Sequence, residues 1–262
     1  MIVAIWGKEG EGKTSMALTF PKPLAHFDLD VGGYDRASWR LDAAEIVSRS
    51  YPLPIQLDKL TGPEELKKVK TEKGITVKLS NKISGYRELW QKITNDFVVC
   101  CQDPKLKTIV IDSATQLWTI CHVAELQLKQ EIQLLKAPNM PESELRERLQ
   151  PVEFPNERMR QVIYTARSTG KNLVLTHYPR NIYKEKFDKH GELVSYKSDD
   201  VEPDGFKDTV KLVDVVVWIE KGNAKISIKC GVPGLGMSAV GMALPEASYS
   251  GIMQLQKAMK GE

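Results

Sequence analysis

The segment Gly7-Lys8-Glu9-Gly10-Glu11-Gly12-Lys13-Thr14 fits G-x-x-x-x-G-K-S/T at every fixed position, and it follows directly on the apolar run Ile2-Val3-Ala4-Ile5-Trp6. No other feature constrains the fold as much. An apolar, largely β-branched run, then glycines, then a helical pattern opening at Lys13 predicts a strand–loop–helix unit. Glycines let the main chain curl so that successive N–H groups point inward, and the helix N-terminus adds the positive end of its dipole. Such a loop cradles phosphate oxygens. In that chemistry the stretch Gly7, Lys8, Glu9, Gly10, Glu11, Gly12, Lys13, Thr14 and Ser15 wraps the phosphates of a nucleoside triphosphate. Lys13 reaches the β- and γ-phosphates, and the Thr14 hydroxyl ligates Mg²⁺, so the expected ligand is MgATP.

The rest of the chain supplies the setting. Apolar runs alternate with helical patterns, which predicts an α/β fold with a mostly parallel central sheet flanked by helices. Strands are expected at Leu24–Leu29, Thr108–Asp112, Asn172–Thr176, Val213–Ile219 and Ala224–Lys229. Tyr86, Leu89, Trp90, Ile93, Phe97 and Cys100 recur at helical spacing, so about 85–101 reads as an amphipathic helix. A further helix is expected from Gln116 to Leu135, and another after a cap at Asn156, ending at Gly170. Tyr249–Met259 reads as a closing helix after the glycine-rich stretch Gly231–Gly241. The organisation is a single domain over 1–262, with insertions expected at 41–82, 137–155 and 180–208. The first carries Lys67, Lys68, Lys70, Lys73 and Lys78, read as a solvated face. The last reads as an extended hairpin turning at His190-Gly191.

Composition excludes some classes. No apolar run spans a bilayer, and no charged leader precedes the first strand, so the expected compartment is the cytoplasm, the host's if the chain is phage-encoded. Cys100, Cys101, Cys121 and Cys230 show no C-x-x-C spacing and read as reduced core thiols. A net charge of +3 permits a nucleic-acid partner without requiring one.

A P-loop needs a second carboxylate at the end of a neighbouring strand for the Mg²⁺ shell, and Asp112 ends the most apolar strand. It is followed by Ser113 rather than Glu, which removes the helicase-type acidic pair. Asn81-Lys82-Ile83-Ser84 breaks a guanine-reading motif at its last position, and no L-S-G-G-Q occurs. The absence of an arginine-rich lid argues against a small-molecule kinase.

Taken in order, Gly7–Thr14, Phe27-Asp28-Leu29-Asp30 with Gly32-Gly33, Ile109-Val110-Ile111-Asp112-Ser113, Leu173-Val174-Leu175-Thr176-His177 and Gly205-Phe206-Lys207 before Val213-Asp214-Val215-Val216 resemble the RecA-like P-loop ATPases. Within them the likeness is to phage-type nucleotide-binding proteins, which include RecA-like single-strand annealing proteins, and it spans roughly residues 1–230. The resemblance implies ATP hydrolysis with Asp30 activating water, Asp28 being the alternative, and with His177 sensing the γ-phosphate. It implies a DNA-contacting segment after the sensor, here with Arg180, Tyr183, Lys184, Lys186 and Lys189. Cations interleaved with rings suit single strands, though the same alternation describes an exposed hairpin and is diluted by carboxylates. Lys229 falls where a cation would reach a neighbouring subunit's γ-phosphate in a homo-oligomer. The N-terminal clip of RecA filament formers is not expected in a chain whose first strand starts after Met1. The function implied is an ATPase acting on single-stranded DNA in phage-type recombination or annealing, with a single-strand-binding or recombination protein as a further partner. The alternative is a slow nucleotide-dependent switch that binds a protein.

Overall fold

The computed structural model describes residues 1–39, 41, 43–54, 82–146, 148, 153–187 and 193–261. The chain opens with β1 (Ile2–Trp6), α1 (Lys13–Ala17), β2 (Leu24–Asp28), α2 (Gly33–Ser38) and β3 (Ile46–Ser50). It continues through α3 (Tyr86–Gln102), β4 (Thr108–Asp112), α4 (Ala114–Lys136), α5 (Glu153–Ser168) and β5 (Asn172–His177). After β6 (Pro179–Phe187), β7 (Leu193–Pro203) and the short α6 (Thr209–Leu212) come β8 (Val215–Glu220), β9 (Asn223–Cys230) and α7 (Tyr249–Lys260).

Seven strands form one sheet in the order β3-β2-β4-β5-β1-β8-β9, parallel except where β9 turns back along β8. β1, β2 and β4 are buried at every position, which is why they read as unbroken apolar runs rather than alternating ones. One face packs Ile2, Ala4, Ile109, Ile111, Leu173 and Leu175 under α3, α4 and α5, through side chains such as Phe97, Leu117 and Ile163. The opposite face packs Val3, Ile5, Val110 and Val174 against Met16 of α1 and Ile252 of α7. Parallel strands covered on both faces bring their C-terminal ends to one edge, where such sheets bind ligands. The mostly parallel α/β fold expected from the sequence is therefore the one observed.

Local expectations fare unevenly. β3 lies inside 41–82, where no strand was expected; its exposed, amphipathic residues give no apolar run, yet it pairs with β2 from Leu24↔Ile46 to Asp28↔Ser50. Lys67, Lys68, Lys70, Lys73 and Lys78 lie outside the described residues. The helix expected from Asn156 starts earlier, at Glu153, because Pro155 is tolerated in a first turn whose N–H groups have no helical partner. Asn156 is no cap: its Oδ1 accepts the Trp118 indole N–H at 3.1 Å. Gly170, at φ +69°, follows the end of α5 as expected. β6 and β7 pair antiparallel as a separate two-stranded sheet, while the turn at His190-Gly191 lies outside the described residues. All four cysteines are buried and free. Among the described residues no helix is long and apolar enough to cross a membrane.

Candidate functional site

The loop between β1 and α1 enters the site pressed against β8. A Cβ on Gly7 would stand 2.4 Å from the Ile219 carbonyl oxygen, so that position has no room for a side chain. Gly10 and Gly12 have open space but need left-handed backbone, at φ +76° and +102°. A cavity of about 410 Å³ opens beneath this loop, lined by Glu9, Gly10, Gly12, Lys13, Thr14 and Ser15 together with Asp30, Gly33, Arg36, Asp112 and Tyr178. Gly7 and Lys8 contribute differently: their carbonyl oxygens accept from Lys13 Nζ at 2.9 and 2.7 Å. Glu11 turns away, its carboxylate accepting the Lys221 N–H of the β8–β9 turn. Burial pushes the Lys13 pKa down, against the pull of Asp112, Asp30, Glu9 and Glu11.

β4 delivers Asp112 to the same place. Its Oδ2 accepts from the Thr14 hydroxyl at 2.6 Å, and its Oδ1 accepts from Thr176 at the end of β5. Burial acts to raise the Asp112 pKa, but His26 and the two hydroxyls outweigh it and hold the carboxyl below its ordinary value. The following Asp112–Ser113 peptide is cis. An anionic carboxylate oxygen adjoining a threonine hydroxyl is a hard-oxygen donor set that suits Mg²⁺ with its waters. Among the described residues no cluster of three or more His, Cys, Asp or Glu could hold a metal ion. Asp112 and Thr14 would hold the ion.

His26 was not anticipated from the sequence. It is fully buried on β2, with Nδ1 2.8 Å from Ser48 Oγ of β3 and Nε2 3.5 Å from Asp112 Oδ2. The edge strand thus orients the Asp112 carboxylate through one imidazole.

Asp28 and Asp30 separate. β2 ends at Asp28, which is buried; its Oδ2 accepts the Gly32 N–H at 2.9 Å. Asp30 has left the strand and lines the cavity. Its Oδ2 accepts from the Tyr178 hydroxyl at 2.8 Å and its Oδ1 from Ser113 Oγ at 3.3 Å. Burial raises the Asp30 pKa, aided by the charges of Asp112 and Asp28 and opposed by the two hydroxyls. A carboxylate with raised basicity in a phosphate cavity has the character of a general base.

The expected sensor does not reach the site. His177 is fully buried and absent from the cavity wall; its Nδ1 lies 2.9 Å from the Asp204 carbonyl oxygen, and burial pushes its pKa down to about 4. Successive side chains on a strand face opposite ways, and here Thr176 faces Asp112 while His177 faces the other side. The neighbour that does line the cavity is Tyr178, with its ring 4.5 Å from Lys13 Nζ and its hydroxyl on Asp30. Arg36, on α2, adds a cation to the wall that the sequence reading overlooked.

Tyr178 also begins the β6–β7 arm. Its carbonyl oxygen accepts the Asp204 N–H at 2.7 Å, closing the stem. Along the arm Arg180 is held by Glu202 at 2.7 Å, and Lys184 by Asp200. Tyr183 is 69% exposed. Lys186 sits opposite Val194 in the register, and Lys189 lies outside the described residues.

Lys229 lies at the end of β9 away from this chain's own P-loop. β9 runs antiparallel to β8, so Asn223 pairs with Glu220 at the phosphate end while Cys230 pairs with Val215 at the far end. Lys229 accordingly reaches the Lys211 carbonyl oxygen at 2.7 Å. The lysine of this hairpin beside the P-loop is Lys221.

A family model described as an AAA domain matches residues 1–220, from β1 through β8. No curated protein matches the chain. Because that match takes in the P-loop, Asp112 and every parallel strand, the chain belongs to the AAA domain family and is a nucleotide-binding domain of the ATPase type.

Proposed function

We propose that the chain is a phage-type RecA-like ATPase that hydrolyses MgATP and acts on single-stranded DNA in recombination or strand annealing. The observation that carries this reading is Asp30. The loop after β2 brings it into one cavity with Lys13, Thr14 and Asp112, where the RecA-like pattern puts its water-activating carboxylate. β5 lying between β1 and β4 agrees with that pattern, in which the sensor strand adjoins the metal-carboxylate strand.

Catalysis by these residues is positioning and charge. Lys13 leaves the Gly7 and Lys8 carbonyls for the β- and γ-phosphates, and the P-loop N–H groups hold the oxygens between them. Bound Mg²⁺ supplies positive charge to the phosphate oxygens, with Thr14 and Asp112 fixing its place. Asp30 takes a proton from the attacking water, its carboxylate held by Tyr178 and Ser113. Tyr178, not His177, relays the state of the phosphates to the β6–β7 arm. The exposed Tyr183 gives that arm a stacking face for bases. A homo-oligomer fits the reading, with Lys229 as the cation offered across its interface to the neighbouring subunit's γ-phosphate. A single-strand-binding or recombination protein in the same cytoplasm is the expected further partner.

One observation favours a second reading. Arg180 and Lys184 are neutralised within the arm by Glu202 and Asp200, which suits a slow switch that docks a protein. ATP hydrolysis with and without single-stranded oligonucleotide separates the two, with Lys13→Ala as the control. Stimulation that falls steeply with salt supports the DNA reading, since neutralising phosphates releases counterions. Slow turnover indifferent to DNA supports the switch, and turnover surviving Lys13→Ala refutes both.

A further inference from the structure

Asp28 has a carboxylate oxygen that the account so far does not use. The residue is 4% exposed, and its Oδ2 is satisfied by Gly32 N–H, but its Oδ1 is buried with no hydrogen-bond partner among the described residues. Leaving a buried charged oxygen unpaired is costly, so its surroundings are informative. A Cβ built on Gly33 would stand 3.2 Å from Asp112 Oδ2, 3.6 Å from Asp28 Oδ1 and 3.6 Å from Thr14 Oγ1. Three oxygens from β2, β4 and α1 therefore surround one point, and the residue beside that point is one without a side chain. The register explains the convergence, because Asp28 and Asp112 are paired neighbours on adjacent parallel strands.

We propose that Asp28 is a second carboxylate of the cation site, its free Oδ1 accepting a hydrogen bond from a water in the Mg²⁺ shell, with Gly33 keeping the space for that water. The inference rests on the MgATP reading. Mg²⁺ gives up its waters reluctantly and is held through one or two carboxylates plus phosphate, so an acceptor one water away from the ion is a fitting partner. Residues that orient a metal's shell in this way alter affinity by about 10- to 100-fold when changed. Asp28 is thus a positioning residue for the cation, distinct from Asp30, which faces the attacking water.

The test is the Mg²⁺-dependent gain in affinity for a fluorescent, non-hydrolysable ATP analogue, mant-AMPPNP, measured in excess Mg²⁺ and again in EDTA. Asp28→Asn keeps an oxygen for the Gly32 N–H and presents an amide where the free oxygen was. The gain is expected to shrink about tenfold, with the EDTA affinity unchanged. Gly33→Ala changes no charge and opens no cavity, and its methyl enters the space between the three oxygens. The same selective loss is expected, and if Asp28→Asn fails to fold by thermal melting an unaltered gain in this variant still overturns the proposal. An unaltered gain in either folded variant overturns the proposal, as does an equal loss in Mg²⁺ and EDTA, which would mean general damage to the P-loop. Failure of the unmodified protein to bind the analogue at all overturns the MgATP reading itself.

Discussion

Thr176→Val isolates one hydrogen bond at the centre of the site. Thr176 is fully buried, and its hydroxyl is the donor to Asp112 Oδ1 among the described residues. Valine matches threonine in shape, so the change opens no cavity and leaves a buried ionised oxygen without its donor. A hydrogen bond to a charged group contributes about 1.5–3 kcal/mol, and the orphaned acceptor adds nothing favourable in return. In a domain of this size each kcal/mol moves the melting temperature by about 2–4 °C, so the expected fall is roughly 3–12 °C at pH 7. The pH dependence has a definite sign. The native Asp112 pKa lies below its ordinary value near 4, so the unfolded chain takes up this proton first as pH falls. Stabilisation by the ionised carboxylate is complete above that ordinary value and is lost as pH drops through the native one. The deficit of Thr176→Val should therefore be equal at pH 7 and pH 5 and shrink below about pH 4. Calorimetry at matched ionic strength measures it. A melting temperature within about 1 °C of the unmodified protein at pH 7 would refute the reasoning, because the hydroxyl would then be bonding a group that needs no donor.

Three further outcomes are expected. Gly7→Ala sets a methyl 2.4 Å from the Ile219 carbonyl oxygen, backbone against backbone, and should cost about 1–3 kcal/mol in urea unfolding; unchanged stability would mean the P-loop entry can move aside freely. Tyr178→Phe keeps the ring by Lys13 and removes the donor to Asp30, so kcat should fall about tenfold at constant nucleotide Kd; an equal loss in both would point to misfolding. His177, with a native pKa of about 4 against 6.5, stays neutral where the unfolded chain is already protonated. Stability should therefore rise by up to roughly 3 kcal/mol between pH 4 and pH 6.5 and level off above, a slope that His177→Asn removes if it comes from this ring.

The P-loop side of the cavity was legible because its pattern is local. Glycine spacing, a preceding apolar strand and a following helix fix Lys13 and Thr14 within one short stretch. Asp112 was legible for a related reason, as the last residue of a strand buried on both faces. What failed were readings that depend on direction. At the end of β5 a shift of one residue turns a side chain to the opposite face, so His177 points into protein while Thr176 bonds Asp112 and Tyr178 lines the cavity. Lys229 stands away from its own P-loop because the chain reverses after Glu220, so that distance along β9 from the turn is distance away from that loop. β3 escaped notice because an edge strand needs no apolar run, and with it went the path from Ser48 through His26 to Asp112.

Among the described residues the arm formed by β6 and β7 joins the site through Tyr178, and this bears on both functional readings. Tyr178 N–H donates to Thr115 Oγ1 at 3.2 Å, while the Thr115 hydroxyl donates to the Asp204 carbonyl oxygen at 3.0 Å. Asp204 N–H in turn donates to the Tyr178 carbonyl oxygen, and its carbonyl oxygen faces His177 Nδ1. The stem of the arm is thus pinned to α4 and β5 by its main chain, and Tyr178 extends from that pinned point onto Lys13 and Asp30. A partner that strains the stem must act on the residue that holds the proposed base. Coupling free energies are reciprocal, so nucleotide that rearranges Lys13 must act on the arm by the same amount. Single-stranded DNA and a protein partner would use this linkage alike. They differ at the arm's outer face, where Glu202 and Asp200 already hold Arg180 and Lys184 while Tyr183 is among the exposed side chains that could take a base or an apolar partner.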